Sequence, residues 1–366
     1  MKFTDAQRCW VEIDTAALRH NASVARARLG ANASLLAVIK ANGYGHGMTA
    51  VAKALADDAQ LFGVANLREA LDVREVVAHP VLILGPALPA ERAAIVEHQF
   101  IASISSFAEA QEFAAHGAKA LLNCAIDTGM GRMGIAETNA IAGLKQINAL
   151  SNATIHSIST HLPVADEDPV YTRDQLARFR SLVRQIRVDM PGDYKVHALP
   201  SAGLLGYADG DFEIARAGLM LYGVSPVPKF QAELRPALTW KCHVVLLRDI
   251  PVGASVSYGR TWIAPRPTRV ATLSAGYADG YPRILSGRGA AVLIRGQRCA
   301  LLGRVTMDLI MVDVTDVPNV SLGEEVILLG RDGDEEVSAR ELADRSSTIP
   351  WEIFTGIGSR VARVYV

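Results

Sequence analysis

Eight short apolar runs, each followed by a stretch with helical spacing, occupy the chain between residues 34 and 222. The runs are rich in β-branched residues and fall at residues 34–40, 61–66, 81–85, 101–105, 119–127, 155–161, 194–200 and 212–222. Helical spacing of apolar residues is clear between them, for example at residues 48–59, 68–77, 107–117 and 172–188. This alternation predicts parallel βα units, and eight of them predict a closed (β/α)₈ barrel.

The sequence changes character beyond about Leu234. Turn signals there separate strand-like runs at residues 239–247, 269–273, 291–294, 309–314 and 325–329, and the helical spacing disappears. With 366 residues the chain is long enough for two domains. The prediction is an α/β fold in which a (β/α)₈ TIM-type barrel, residues 1–235, precedes a mostly β C-terminal domain, residues 236–366.

Composition and charge argue against several classes of function. The 37 basic residues nearly balance the 38 acidic ones, so the chain lacks the positive excess that nucleic-acid binding usually needs. The first ten residues contain no apolar signal region, and no later apolar run has spanning length. We therefore expect a cytoplasmic protein with no nucleic-acid or membrane partner.

Cysteines and histidines show no metal-ligand spacing. Cys9, Cys124, Cys242 and Cys299 lie far apart, and the nine histidines are scattered. We expect reduced thiols and no metal site.

Reactive side chains gather where the predicted barrel strands end, which is where barrel enzymes place their active sites. Lys40 ends the first run, His161 closes the sixth, Ser201 follows the seventh and Arg216 lies in the eighth. A partly desolvated lysine amine has a lowered pKa and can attack an aldehyde to form a Schiff base. Considered one at a time, these residues are more typical of a solvent-directed lysine at the barrel rim, a structural histidine and a helix-capping serine. Because they converge from four strands, we interpret them as parts of one active site.

A glycine in the eighth run completes this hypothesis. Gly218 can bring backbone N–H groups close to a phosphate, as barrels often do after strands seven and eight, and Ser201 lies on the same side. Taken alone, Gly218 is equally typical of a strand bulge. A lysine that binds an aldehyde, next to a phosphate cup, suggests pyridoxal 5'-phosphate.

An ordered set of motifs resembles the bacterial alanine racemases from Lys40 to Tyr365. The motifs are KANGYGHG, DTGMGRMG, STHLPVADE, RAGLMLYG, VSYGRTW, AGYADGYPR, GRVTMDLIMVD and RVARVY. Each motif alone is weak evidence for the family, whereas the whole set in this order is highly specific for it. The resemblance implies an isomerase that interconverts L- and D-alanine with pyridoxal 5'-phosphate, supplies D-alanine for peptidoglycan and forms homodimers with shared active sites.

The resemblance also implies roles for individual residues. Lys40 would hold the cofactor and act as one base, and Tyr258 would act as the second base on the opposite face of the substrate. Without the motifs, Tyr258 and Met307 would be interpreted as packed side chains. The positions that match cofactor contacts are Lys40, Tyr44, His161, Ser201, Arg216, Gly218 and Leu219, and those that match substrate contacts are Arg132, Tyr277 and Met307.

Several positions depart from the family pattern. Ala125 stands where the family commonly has a lysine that orients the arginine matched by Arg132. Pro200 replaces an asparagine beside the phosphate-binding serine, and Trp351 replaces a tyrosine that reaches the phosphate. Thr306 replaces a cysteine and Gly43 an alanine. The departures at Pro200 and Trp351 predict a weaker hold on the cofactor.

Three alternatives remain open at this point. The first is a racemase of another amino acid, such as serine. The second is a barrel-type amino-acid decarboxylase, although its glycine-rich phosphate loop and cysteine-containing acidic motif are missing from the sequence. The third is a non-catalytic carrier of pyridoxal 5'-phosphate, a class without a β domain, so residues 234–366 favour an enzyme.

Overall fold

The computed structural model describes residues 7–208, 210 and 212–366, which form two compact units. Among these residues, one unit comprises 16–43 and 47–235, and the other comprises 7–15, 44–46 and 236–366.

The strands are, in chain order, β1 (Cys9–Ile13), β2 (Ser34–Val38), β3 (Leu61–Val64), β4 (Val81–Ile83), β5 (Ile101–Ile104), β6 (Ala120–Asp127), β7 (Ile135–Ala136), β8 (Ala153–Ser159), β9 (Lys195–His197), β10 (Ile214–Ala217), β11 (Leu238–Ile250), β12 (Ser255–Val256), β13 (Trp262–Ile263), β14 (Thr268–Leu273), β15 (Ala291–Ile294), β16 (Gln297–Ala300), β17 (Ile310–Asp313), β18 (Glu325–Asp332), β19 (Glu335–Val337) and β20 (Ala362–Tyr365). The helices are α1 (Thr15–Arg26), α2 (Lys40–Tyr44), α3 (Met48–Ala54), α4 (Leu67–Arg74), α5 (Arg92–Glu97), α6 (Phe107–Ala114), α7 (Ala140–Asn148), α8 (Pro169–Asp189), α9 (Ser201–Tyr207), α10 (Ala339–Ser346) and α11 (Pro350–Thr355).

The first unit is a nearly closed barrel of eight parallel strands. Their order is β10, β2, β3, β4, β5, β6, β8 and β9. Seven of them lie within a predicted apolar run, and β8 begins two residues before its run. All residues of β3, β4, β5 and β10 are buried, which explains why these strands read as continuous apolar runs rather than alternating ones. The predicted barrel is confirmed.

Side-chain caps fix where the outer helices of the barrel begin. The side chains of Asn66 and Ser106 accept hydrogen bonds from the third backbone N–H of α4 and α6, and Asp168 does the same for the first residues of α8. These caps place each helix directly after the carboxyl end of a strand or its loop. The strand ends are thereby held in a fixed arrangement.

The second unit is mostly β, as predicted. Its principal sheet has the order β16, β15, β18, β11, β1 and β20, and β14 and β17 extend it from β11. The core includes Trp10 and Trp240, both fully buried, and the ring of Trp240 packs against Tyr281 with centroids 5.9 Å apart.

Two features of the second unit differ from the sequence-based expectation. The range 1–235 was assigned to the barrel, but β1 pairs antiparallel with β11 and parallel with β20; residues 1–6, 209 and 211 of that range lie outside the described residues. The partners of β1 lie more than 220 residues away, which local patterning cannot reveal. The expected loss of helical structure beyond Leu234 was wrong for α10 and α11. The buried residues of α10 recur at helical spacing after the capping side chain of Ser338, so its sequence does carry a helical signal, whereas α11 has only six residues.

Some structural features are not found in the part of the chain that the structure describes. None of its helices is both long and apolar enough to cross a membrane. Its histidine, cysteine and acidic side chains form no group of three that could hold a metal ion.

Candidate active site

Lys40 follows β2 and begins a turn of unusual handedness. Residues 41–44 have φ values of 52°, 54°, 62° and 51°, all in the left-handed region. Each non-glycine residue there costs roughly 1–2 kcal/mol, so surrounding contacts must hold the turn. One such contact is the hydrogen bond that the Gly43 N–H donates to the Ile39 carbonyl at 2.7 Å.

The amine of Lys40 is partly buried and lies within the electrostatic influence of Arg132 and Glu69. Burial lowers its pKa below the ordinary lysine value, the nearby Arg132 guanidinium lowers it further, and Glu69 opposes both. A lysine in these surroundings has a larger neutral fraction near pH 7, which is the form that attacks an aldehyde. The sequence-based expectation of a desolvated Lys40 agrees with this arrangement.

Arg216, in β10, is buried and is held by three carbonyl and two imidazole groups, of which the His197 carbonyl lies 3.3 Å from Nη1. Its Nη2 donates to the Thr160 carbonyl at 2.8 Å and to the Ala198 carbonyl at 3.2 Å, and it lies 3.2 Å from His161 Nδ1. Its Nη1 contacts His197 Nδ1. Burial and then Arg132 lower the pKa of Arg216 to about 10, so the guanidinium remains protonated at neutral pH.

Both histidines next to Arg216 are kept neutral. Burial, followed by the charges of Arg216, Arg132 and Lys40, lowers the pKa of His161 to about 3. Burial and Arg216 also lower the pKa of His197 well below its ordinary value. Because Arg216 donates to Nδ1 of His197, the proton of that neutral ring is on Nε2.

Ser201 and Gly218 meet as the sequence predicted. The Oγ of Ser201 accepts hydrogen bonds from the N–H of Gly218 at 2.9 Å and from the N–H of Met220 at 3.4 Å. Gly218 follows β10 and precedes the 3₁₀ helix Leu219–Tyr222. Two donors therefore fix the oxygen of Ser201, and its hydroxyl hydrogen is directed elsewhere.

Arg132 lies in a loop that a single carboxylate organises. Asp127, at the end of β6, accepts at Oδ1 from the N–H groups of Gly129, Met130 and Gly131 at 2.9–3.1 Å. Burial would raise the pKa of Asp127, but these N–H groups outweigh it and the pKa is lowered. Ala125, two residues earlier on the same strand, supplies only a methyl group.

Tyr44 lies in the second unit together with Trp351. Burial raises the pKa of Tyr44 to about 12, partly offset by a hydrogen bond between its hydroxyl and the Trp351 side chain. Because an indole N–H can only donate, the hydroxyl oxygen of Tyr44 is the acceptor. Trp351 thus orients Tyr44, a contact that the substitution pattern alone did not reveal.

The remaining predicted residues lie on exposed edges of the second unit. Tyr258, in the 3₁₀ helix Tyr258–Arg260, is 70% exposed in the single chain. Tyr277 and Met307 lie on adjacent loops, which the Ala278 N–H links by donating to the Met307 carbonyl at 2.9 Å. These three side chains belong to one unit, while Lys40 and Arg132 belong to the other.

Three contributing residues were missed by sequence reasoning. Glu69, Thr160 and His197 contact Lys40 or Arg216, or the backbone beside them. His197 and Thr160 stand at strand ends, the signal used for His161, and so were accessible in principle. Glu69 belongs to a helix and gives no such signal.

The barrel residues fit an anionic cofactor with an aldehyde. Arg132 lowers the pKa of both Lys40 and Arg216, and Glu69 is the acidic group that raises the pKa of Lys40. Ser201 is 5% exposed, and its hydroxyl oxygen is held by two backbone donors. A phosphate supplies the negative charge and the acceptor that this set of groups can use.

Comparison with known proteins gives a consistent result. Residues 13–226 match the family model described as alanine racemase, N-terminal domain, and residues 237–365 match the model described as alanine racemase, C-terminal domain. The chain is 40% identical over 367 residues to an alanine racemase of Methylacidiphilum infernorum, covering 98% of this chain and 92% of that protein. It is 37% identical to an alanine racemase of Halothermothrix orenii, covering 97% of this chain and 96% of that protein.

Solved structures agree with the sequence matches. The structure of alanine racemase from Bacillus anthracis with bound L-Ala-P superposes with a TM-score of 0.90 at 32% identity, covering 98% of this chain and 95% of that chain. The biosynthetic alanine racemase from Pseudomonas aeruginosa superposes with a TM-score of 0.89 at 33% identity, covering 98% of this chain and 99% of that chain.

Proposed function

The chain belongs to the alanine racemase family of pyridoxal 5'-phosphate enzymes, and we propose that it interconverts L- and D-alanine at the mouth of its barrel. The observation that carries this proposal is the position of Lys40. Its amine has a pKa lowered by burial and by Arg132, and the residue follows the first barrel strand.

We propose that Lys40, Tyr44, His161, Ser201, Arg216, Gly218 and Leu219 hold the cofactor. When bound, pyridoxal 5'-phosphate withdraws electrons from the α-carbon of the amino acid, which makes its proton removable. Ser201 donates its hydroxyl hydrogen to the phosphate. Arg216 binds near the ring and keeps its own proton, since its pKa stays near 10.

A permanently protonated Arg216 favours racemisation over competing reactions. A guanidinium does not hand a proton to the pyridine nitrogen, so negative charge stays near the α-carbon and the proton returns there quickly. The neutral His161 beside it adds no further positive charge. Transamination and decarboxylation both need more complete charge delocalisation.

Inversion at the α-carbon requires two groups on opposite faces. We propose that Lys40 and Tyr258 are these groups, each giving or taking one proton. Arg132, Tyr277 and Met307 then orient the substrate carboxylate. The 70% exposure of Tyr258 in the isolated chain supports its pairing with a second copy of the protein.

The proposed assembly is a homodimer in which Lys40 of one subunit works with Tyr258 of the other. We further propose a domain division at residues 235 and 236, supported by the compact units that separate there, with β1 joined to the C-terminal domain. A cytoplasmic location and a role in supplying D-alanine for cell-wall peptidoglycan are the proposed biological setting.

A chiral assay tests the proposed function. Purified protein with pyridoxal 5'-phosphate should convert L-alanine to an equal mixture of enantiomers, because the two have the same free energy. Lys40→Ala and Tyr258→Phe should both lose this conversion. Serine is the second substrate to test, because Ala125 and Thr306 depart from the family near the proposed substrate residues. Conversion of serine but not alanine, or of neither, would refute the proposal.

A further inference from the structure

Glu69 is tied to the residue that follows Lys40. Its Oε1 accepts a hydrogen bond from the Ala41 N–H at 2.8 Å, and its Oε2 accepts one from the Ala65 N–H at 2.7 Å. Ala65 directly follows β3, whereas Ala41 is the first residue of the left-handed turn. One carboxylate therefore joins the turn after the first barrel strand to the end of the second.

The bond to Ala41 goes beyond ordinary helix capping. Glu69 is the third residue of α4, and Glu109 is the third residue of α6; both follow a capping side chain, Asn66 or Ser106. Glu109 also accepts from the N–H two positions before its helix, that of Ser105, at 2.6 Å. Glu69 makes the equivalent bond and then uses its second oxygen for Ala41.

The left-handed turn needs such a contact. Ala41 and Asn42 have φ values of 52° and 54°, a conformation that side chains disfavour. Asn42 is secured by its own side chain, which accepts from the Met48 N–H at 3.0 Å. Ala41 has no polar side chain, so the carboxylate of Glu69 is what secures its N–H.

Glu69 also supplies negative charge near the Lys40 amine. The charged or titratable groups that influence Lys40 are Arg132, His161 and Glu69. Arg132 lowers the pKa of Lys40, His161 is neutral, and Glu69 raises that pKa. The negative charge of Glu69 therefore limits how far burial and Arg132 lower the pKa of Lys40.

We propose that Glu69 is a positioning residue that fixes the left-handed turn after Lys40 and so aims the lysine amine at the cofactor aldehyde. This inference rests on the proposed role of Lys40. It concerns the conformation and charge state of that lysine rather than the identity of the substrate.

The test compares Glu69→Gln with the matched control Glu109→Gln in the full-length protein. The amide of glutamine places a donor against one of the two N–H groups and removes the charge. Hydrogen exchange at residues 40–43 should become at least about tenfold faster in Glu69→Gln, as expected for loss of a hydrogen bond to a charged group. Glu109→Gln should leave that exchange unchanged.

A second readout follows covalent capture of added pyridoxal 5'-phosphate after the bound cofactor has been removed. Capture requires the neutral amine, so the pH midpoint of its rate should move to lower pH in Glu69→Gln and stay in place in Glu109→Gln. If exchange and midpoint in Glu69→Gln both match those of the control, the inference is overturned.

A double variant covers the case in which Glu69→Gln does not fold. Glycine takes the left-handed conformation without steric cost, so Ala41→Gly combined with Glu69→Gln should form the turn. Its capture midpoint should still lie below that of Ala41→Gly alone, and equal midpoints would overturn the inference. Capture at Lys40 without racemisation of alanine would instead remove the proposed function and leave this inference standing.

Discussion

Single residues explain both what the site keeps from its family and what it changes. Trp351 stands where the resemblance implies a tyrosine, and its indole hydrogen-bonds the buried hydroxyl of Tyr44. The indole N–H donates to the hydroxyl oxygen of Tyr44, and the hydroxyl hydrogen takes no part in this contact. The substitution therefore removes one proposed phosphate contact and supplies a hydrogen bond that orients Tyr44.

Variants of Trp351 separate these two effects. Trp351→Phe keeps an aromatic ring but removes the donor to Tyr44, so the dissociation constant for pyridoxal 5'-phosphate should rise about two- to tenfold. Trp351→Tyr should lower that constant by about tenfold, because it restores the hydroxyl. Equilibrium dialysis measures both. Identical constants in all three proteins would show that position 351 does not affect cofactor binding.

The low pKa of His161 predicts a pH effect on stability. Its pKa is about 3 in the folded chain, and an unfolded histidine has a pKa of about 6.5. Between these values only the unfolded chain binds the proton, so the free energy of unfolding is unaffected above pH 6.5 and falls as the pH drops. The decrease is up to about 1.4 kcal/mol per pH unit from this residue.

Urea unfolding between pH 4 and 7 measures this decrease. In His161→Gln the slope should be smaller than in the wild type. A wild-type slope in His161→Gln would mean that His161 is not held neutral by burial and its cationic neighbours.

Strand-end residues were the part of the site that sequence could predict. Lys40, His161, Ser201 and Arg216 follow or end apolar runs, and parallel strands bring such ends to one edge. Glu69 and Asp127 act through backbone N–H groups, a type of contact that no side-chain pattern encodes. The contact between Tyr44 and Trp351 joins residues 307 positions apart, which one sequence cannot show.

At the scale of elements, the eight barrel strands were predictable because each coincides with or overlaps a mostly apolar run, and four of them are buried along their whole length. Pairing of β1 with β11 and β20 was not, because pairing partners depend on the assembled sheet. The conformations of the loops were also not predicted from the sequence. The loop after β6 owes its conformation to the carboxylate of Asp127, which gathers three consecutive N–H groups.

Asp127 variants test whether this loop positions Arg132. Asp127→Asn retains an oxygen that accepts these bonds, whereas Asp127→Ala loses all of them. We expect Asp127→Ala to be destabilised by about 1 to 3 kcal/mol and to show a raised KM for alanine, with Asp127→Asn close to the wild type. Thermal unfolding and steady-state kinetics provide the measurements. An unchanged KM in Asp127→Ala would mean that Arg132 is held by other contacts.

At the scale of the whole molecule, the proposal places each active site between two subunits. Co-expression of Lys40→Ala with Tyr258→Phe, each nearly inactive alone, distinguishes shared from separate sites. Random assembly makes about half of the dimers mixed, and a shared arrangement gives each mixed dimer one intact site. About a quarter of wild-type activity should return, whereas sites confined to single subunits would leave the mixture inactive.

The central claim is that Lys40 carries the cofactor and the chemistry. Borohydride reduction of the protein loaded with pyridoxal 5'-phosphate, followed by peptide mass spectrometry, tests it most directly. The account predicts a single reduced adduct on the peptide containing Lys40, together with complete loss of racemisation. An adduct on another lysine, or no adduct in a protein that racemises alanine, would contradict it.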